Sequence, residues 1–245
     1  MLLLALSDAH IPERAIDLPQ KFKKLIGVPN KIQQVVLLGN CTKSHSFLKF
    51  VNQISSNVVI VRGEFDTKSV ASTKNSREEI PLSTIIKQGD FTVGCCNGYT
   101  IVPKSDPLSL LTLARQLDVD IVLWGGTHNV EAYTLEGKFF INPGTCTGAF
   151  STDWPQSQDP EPETEKSDAD KAEASVTAAN ATANVTATAT QTGASESDSE
   201  DEDENEGKSI PSFCLLDIQG STCTLYIYTL ADNEVKVDKV VYTKS

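Results

Sequence analysis

His10, His45 and His128 are the only histidines in this chain of 245 residues. Two of them stand in short polar clusters, Asp8-Ala9-His10 and Gly125-Gly126-Thr127-His128. Three more clusters lie between them: Gly39-Asn40, Gly63-Glu64-Phe65-Asp66 and Asn97-Gly98-Tyr99. Imidazoles with a carboxylate are donors for a divalent cation. Bound divalent cations activate water and neutralise charge in phosphoester hydrolysis. Metal-assisted hydrolysis is therefore the first chemistry to test against these residues.

Each cluster follows an apolar run that reads as a buried strand: Leu2–Ser7, Val35–Leu38, Val58–Val61, Phe91–Cys96 and Ile121–Trp124. In open α/β sheets, ligand sites collect beyond the carboxyl ends of the strands. Five strand ends carrying glycines and polar residues therefore predict one cup at one rim. Helices over 18–26, 44–54 and 108–117 alternate with these strands. Hairpins follow, 131–135 with 138–141 around Glu136-Gly137, and 213–218 with 222–230 around Gly220. A last strand over 235–242 comes after Asp232-Asn233. Thr67 to Ile80 reads as a polar loop. This order fits an α/β fold, two sheets with helices packed outside.

The net charge of −12 is local. Residues 155–208 hold 15 Asp and Glu against 3 Lys, so the other residues carry 18 acidic and 18 basic groups. Residues 155–208 also lack any aromatic, Leu or Ile. Such a segment cannot bury enough apolar surface to offset chain entropy and is expected to be a disordered acidic low-complexity insertion. One domain is expected from 1–154 and 209–245. The neutral body has no basic stripe, which argues against a nucleic-acid partner. Leu2–Leu6 is interrupted too early by Asp8 and His10 to read as a leader, and no run is long enough for a membrane-spanning helix. Six cysteines without finger spacing read as buried free thiols of a reducing compartment. Ser195, Ser197 and Ser199, each followed by acids, resemble acidophilic-kinase sites.

The order of these clusters resembles the calcineurin-like metallophosphoesterase superfamily, whose members use two cations ~3.5–4 Å apart. The resemblance implies a four-layer metallophosphoesterase-like β-sandwich flanked by helices. It also implies a degenerate site. Asp8 and His10 match the family pattern. Asn40 stands where the bridging Asp belongs, Glu64 replaces an Asn, and Phe65 replaces the catalytic His. Asn97 and Gly126 replace ligand histidines, leaving His128. Asp8, His10, Asn40, Glu64, Asn97 and His128 are then vestigial metal positions, with no catalytic residue among them.

A narrower resemblance spans most of the core. It rests on Leu18-Pro19-x-Lys21-Phe22-Lys23-Lys24-Leu25, Arg62-Gly63-Glu64-Phe65-Asp66, Phe139-x-Ile141-Asn142-Pro143-Gly144-x-x-Thr147-Gly148-Ala149 and Pro211-Ser212-Phe213. These motifs are similar to the vacuolar protein sorting-associated protein 29 family, the small subunits of retromer. The resemblance implies a non-catalytic scaffold in endosome-to-Golgi retrograde transport, cytoplasmic and peripheral on endosomes, reaching the membrane only through partners. It implies that Phe65, Tyr99, Ile101, Val102 and Pro103 dock the large α-solenoid retromer subunit. Leu215, Tyr226 and Tyr228 are implied to bind regulators of endosomal GTPases. The third retromer core subunit and sorting nexins are reached indirectly. No cofactor is implied beyond weak divalent-metal binding. The competing expectation is a residual single-metal phosphoesterase using Asp8, His10, Glu64 and His128.

Overall fold

Alternate side chains of the first strand face two different cores, as a period of two requires. Leu3 and Ala5 join one buried cluster, Leu4 and Leu6 another. The computed structural model describes residues 1–28, 31–73, 76–152 and 209–244. The acidic segment over 155–208, with its three serines, lies outside the described residues.

The elements run β1 (Leu2–Leu6), α1 (Gln20–Ile26), β2 (Gln34–Leu37), α2 (His45–Ile54), β3 (Val58–Ile60), β4 (Ser69–Thr73), β5 (Ser76–Glu79), β6 (Ser83–Gln88) and β7 (Phe91–Cys96). There follow α3 (Pro107–Gln116), β8 (Ile121–Leu123), β9 (Val130–Leu135), β10 (Lys138–Pro143), β11 (Ser212–Gln219), β12 (Thr222–Ala231) and β13 (Glu234–Thr243). One sheet has the order β13-β12-β11-β1-β2-β3, the second β6-β7-β8-β10-β9. β1, β2 and β3 are parallel, as are β7, β8 and β10, so their carboxyl ends share a rim in each sheet.

The inter-sheet core joins Leu3, Val36 and Leu216 of the first sheet to Phe91, Ile121 and Phe139 of the second. Phe22 and Ile26 of α1 and Phe47 and Val51 of α2 cover the outer face of the first sheet. Leu110 and Ala114 of α3 cover the second. This gives four layers, helix, sheet, sheet and helix. α2 starts where Ser44 accepts from the Phe47 N–H, and α3 where Asp106 accepts from Ser109 N with Pro107 in the first turn.

Two features correct the sequence reading. The stretch expected to be a polar loop over 67–80 contains an antiparallel pair, β4 with β5. β6 was not expected; its burial alternates, but the adjacent Ile85 and Ile86 put an apolar residue on both faces, so its sequence lacks the polar–apolar alternation that marks a half-buried strand. All six cysteines are buried and unpaired.

Candidate functional site: a degenerate metal cup

The five clusters do converge. Asp8 and His10 follow β1, Asn40 follows β2, Phe65 follows β3, Asn97 follows β7 and His128 follows β8. Main-chain bonds stitch the ends together: Asp8 N donates to Gly39 O at 3.1 Å and His10 N to Asn40 O at 2.9 Å. Thr145 and Thr147, after β10, donate their hydroxyls to the carbonyls of Asp8 and Ala9, both at 2.8 Å. Asp8, His10, Asn40 and His128 all have positive φ, between 44° and 65°. Left-handed backbone costs a non-glycine residue roughly 1–3 kcal/mol, so four such residues at one rim mark a built site.

Asp8 is fully buried. Its Oδ2 accepts from Ser7 Oγ and from Gly126 N, both at 2.7 Å. Its Oδ1 accepts from Asn40 Nδ2 at 2.8 Å, and faces His10 Nε2 at 3.9 Å and His128 Nε2 at 4.0 Å. The two imidazoles stack with centroids 5.0 Å apart. Burial is the main cause that pushes His10 down, to about 4; the Asp8 carboxylate opposes it and Arg14 adds to it. His10 is therefore neutral at pH 7, and its buried Nε2 has no hydrogen-bond partner. His128 Nδ1 lies 2.6 Å from Ala149 O. A carbonyl only accepts, so Nδ1 carries a proton and Nε2 is the ring nitrogen turned to the cup.

These donors fit one divalent cation. Asp8, His10 and His128 each offer one ligand atom, all within 4.8 Å of one another. A tetrahedral ion with bonds of ~2.0–2.1 Å needs ligand atoms roughly 3.3 Å apart, so each imidazole would close on Asp8 by roughly 0.7 Å and the widest pair by up to about 1.5 Å. They do not fit two cations. Among the described residues the donor cluster has one carboxylate, Asp8, and the amide of Asn40 already points an N–H at it.

Glu64 is not brought in: its side chain is exposed and stands outside the donor cluster. Asp66, two residues on, turns inward instead. It accepts from the N–H groups of Asn40 (2.6 Å), Gly63 (2.9 Å) and Thr42 (3.1 Å), and from Thr42 Oγ1 (2.7 Å). Asn97 is a clamp, with Nδ2 donating to Leu38 O at 2.6 Å and Oδ1 buried without a partner. A Cβ at Gly126 would lie 2.8 Å from Asn97 O, with φ at +89°, so no side chain fits there. Ser7 and Thr145 hold the cup without having been quoted in a motif, and Asp66 and Thr147, which stand in quoted motifs, were given no role there. Asp66, inside a polar cluster, and Ser7, adjacent to Asp8, carried a local signal; Thr145 carried none.

Phe65 is 37% exposed and sets its ring edge-on to His10 at 5.4 Å. It is therefore a rim residue that also covers an imidazole. Tyr99 and Ile101 are half-buried; Pro103 is exposed and Val102 is 84% exposed. Leu215, Tyr226 and Tyr228 are half-buried on the α1 side of the first sheet. Leu215 pairs with Tyr226, and Phe213 with Tyr228.

A cup at parallel strand ends between two sheets defines the calcineurin-like phosphoesterase class, and the family model for the calcineurin-like phosphoesterase superfamily domain matches residues 1–157. Vacuolar protein sorting-associated protein 29 of Saccharomyces cerevisiae is 58% identical over 281 aligned positions, covering 100% of both chains. The crystal structure of Chaetomium thermophilum Vps29 has a TM-score of 0.71 at 34% identity, covering 100% of both chains. Wild-type Vps29 of Entamoeba histolytica, solved in complex with zinc, has a TM-score of 0.69 at 28% identity, covering 98% of this chain and 99% of that one. The chain belongs to the vacuolar protein sorting-associated protein 29 family.

Proposed function

We propose that this protein is the non-catalytic small subunit of the retromer cargo-recognition complex, acting in endosome-to-Golgi protein transport. One observation carries the reading. The catalytic imidazole's place is taken by Phe65, whose ring covers His10 and cannot donate a proton. The charges for two cations are missing as well, because the amide of Asn40 donates to the cup's one carboxylate. Water activation and charge stabilisation both depend on those groups.

What remains is a rigid rim. Phe65, Tyr99, Ile101, Val102 and Pro103 form the docking surface for the large α-solenoid subunit, with Val102 as the exposed apolar anchor. Aromatic and apolar anchors that lose water on docking supply most interface energy. Leu215, Tyr226 and Tyr228 form a second surface, for regulators of endosomal GTPases. The domain comprises 1–154 and 209–245, with 155–208 inserted. Among the described residues no helix is long and apolar enough to cross a membrane. As a retromer subunit the protein works at the cytosolic face of endosomes through its partners.

The test is purification with the large subunit. Wild type should co-purify it and Val102→Asp should lose it while melting at the same temperature. Retention of the large subunit by Val102→Asp would refute the docking surface.

A second reading concerns metal, and the orphaned Nε2 of His10 favours it. Asp8, His10 and His128 would hold a single divalent ion, as the zinc complex of the Entamoeba relative encourages. Such an ion would supply Lewis acidity and pin the ends of β1 and β8 together. Native mass spectrometry with added zinc should find one ion per chain, lost in His10→Ala. Two ions per chain with turnover of a phosphodiester would refute the scaffold reading.

A further inference from the structure

Arg14 lies in the loop after the Asp8–His10 turn, beside the cup rather than in it. Its guanidinium carbon sits 4.6 Å from the centroid of Phe65 and 5.3 Å from that of Phe150. One arm, Nη1, donates to Phe150 O at 3.0 Å. The acids of the same loop are engaged elsewhere, Glu13 with Lys43 and Asp17 with Lys23. Among the described residues no carboxylate pairs with Arg14.

Both flanking rings are themselves exposed, Phe65 by 37% and Phe150 by 45%. Beside Arg14 opens a groove of about 1000 Å³ that also carries Ile16 and Ile210. Those two side chains are 95% and 56% exposed. A guanidinium set over two aromatic rings and tied to a main-chain carbonyl has given up rotamer freedom in advance. Its unused N–H groups keep the planar fork that matches a carboxylate. Arginine and aromatic residues clustered this way have the composition of an interface hot spot.

We infer that Arg14, clamped between Phe65 and Phe150, receives a carboxylate side chain of the large helical-repeat partner, so that the docking surface extends from the cup rim into this groove. The inference rests on the docking reading above, with which it is continuous through Phe65. Charge selects the occupant. A phosphorylated partner would call for several free cations, and Lys23 and Lys43 are already neutralised. A lone fork beside isoleucines suits one Asp or Glu next to aliphatic side chains.

The experiment titrates the full-length chain with the purified large subunit, at low and at physiological salt. Arg14→Gln is expected to weaken binding roughly 10–100-fold and to flatten its salt dependence. Arg14→Lys, which keeps the charge but not the fork, is expected to recover only part of the loss. Thermal melting checks that both variants fold. Wild-type affinity and salt dependence in Arg14→Gln would overturn the inference and leave the docking reading standing. Failure of the wild-type chain to bind at all would overturn both. The same titration in a chain lacking 155–208 decides between carboxylates. A persisting Arg14→Gln defect supports the partner's carboxylate, whereas a vanished one assigns Arg14 to the chain's own acidic segment and overturns the inference.

Discussion

Asn40 donates its side-chain amide to Asp8 Oδ1 at 2.8 Å, while its own Oδ1 accepts the Phe65 N–H at 2.9 Å. One carboxamide thus ties the β1, β2 and β3 ends together where a catalytic relative would place a charged bridge. An amide can donate to one loop and accept from another; a carboxylate can only accept.

Replacing Asn40 therefore has two distinguishable effects. Asn40→Ala orphans the Phe65 N–H and one oxygen of buried Asp8, and should cost roughly 1–3 kcal/mol. Asn40→Asp keeps the shape but sets two carboxylates against each other in a buried site. It should melt lower than wild type in chelator and regain stability on adding zinc by more than wild type does. Equal zinc-induced shifts in the two proteins would show that the amide does not substitute for charge.

The convergence of these loops was legible in the sequence because four of the five apolar runs are followed within two residues by an aspartate or glycine, Asp8, Gly39, Gly98 or Gly126, that takes the left-handed turn found there. The hairpins at Glu136-Gly137 and Asp232-Asn233 were legible for the same reason, and all four residues have positive φ. Other features left no local signal. Glu64 and Asp66 are acids two apart, and only the folded loop decides that Asp66 turns in as a cap. β6 alternates in burial, but Ile85 on its exposed face and buried Gln88 on the other hide that period in the sequence. The Phe65–Arg14–Phe150 stack joins three loops distant in sequence, which no single-segment pattern records.

Asp120 provides a pH-dependent contact away from the cup. Burial raises its pKa, but hydrogen bonds from Lys244 and from Thr92 N and Oγ1, with the Lys244 charge, outweigh burial and hold it below the usual carboxylate range. Lys244 Nζ reaches it at 2.7 Å from just beyond β13, so the pair joins the two sheets. A depressed carboxylate adds stability that is present above its unfolded pKa and lost as pH falls through its folded one. Asp120→Asn should therefore be less stable than wild type at pH 7, and the gap should close below about pH 4. Denaturant melts of both proteins across that range would expose a constant gap, which would rule the carboxylate out as its source.

Tyr226 and Tyr228 lie two residues apart on the same face of β12, yet the structure gives them different work. Tyr228 stacks flat on Phe213, centroids 4.6 Å apart at 6°, and Phe213 in turn meets Phe22 of α1 edge-on at 4.7 Å. Tyr228 is thus the outer ring of a three-aromatic column that seats α1 on the first sheet. Tyr226 has no aromatic neighbour in that column; Lys239 lies 5.9 Å from its centroid, and across the ladder it pairs with half-buried Leu215. If the Leu215 patch is a regulator-binding surface, Tyr226 is the residue free to leave water for a partner. Tyr228→Ala should cost roughly 2–3 kcal/mol, less than the ~3–5 of a fully buried aromatic, because its edge is solvated. Tyr226→Ala should stay within ~1 kcal/mol of wild type yet abolish capture of the regulators, with binding of the large subunit unchanged. Urea melts paired with the two binding assays separate these outcomes. Stability lost equally in both variants would mean that Tyr226 is core, and regulator binding retained in Tyr226→Ala would remove the patch from the docking scheme.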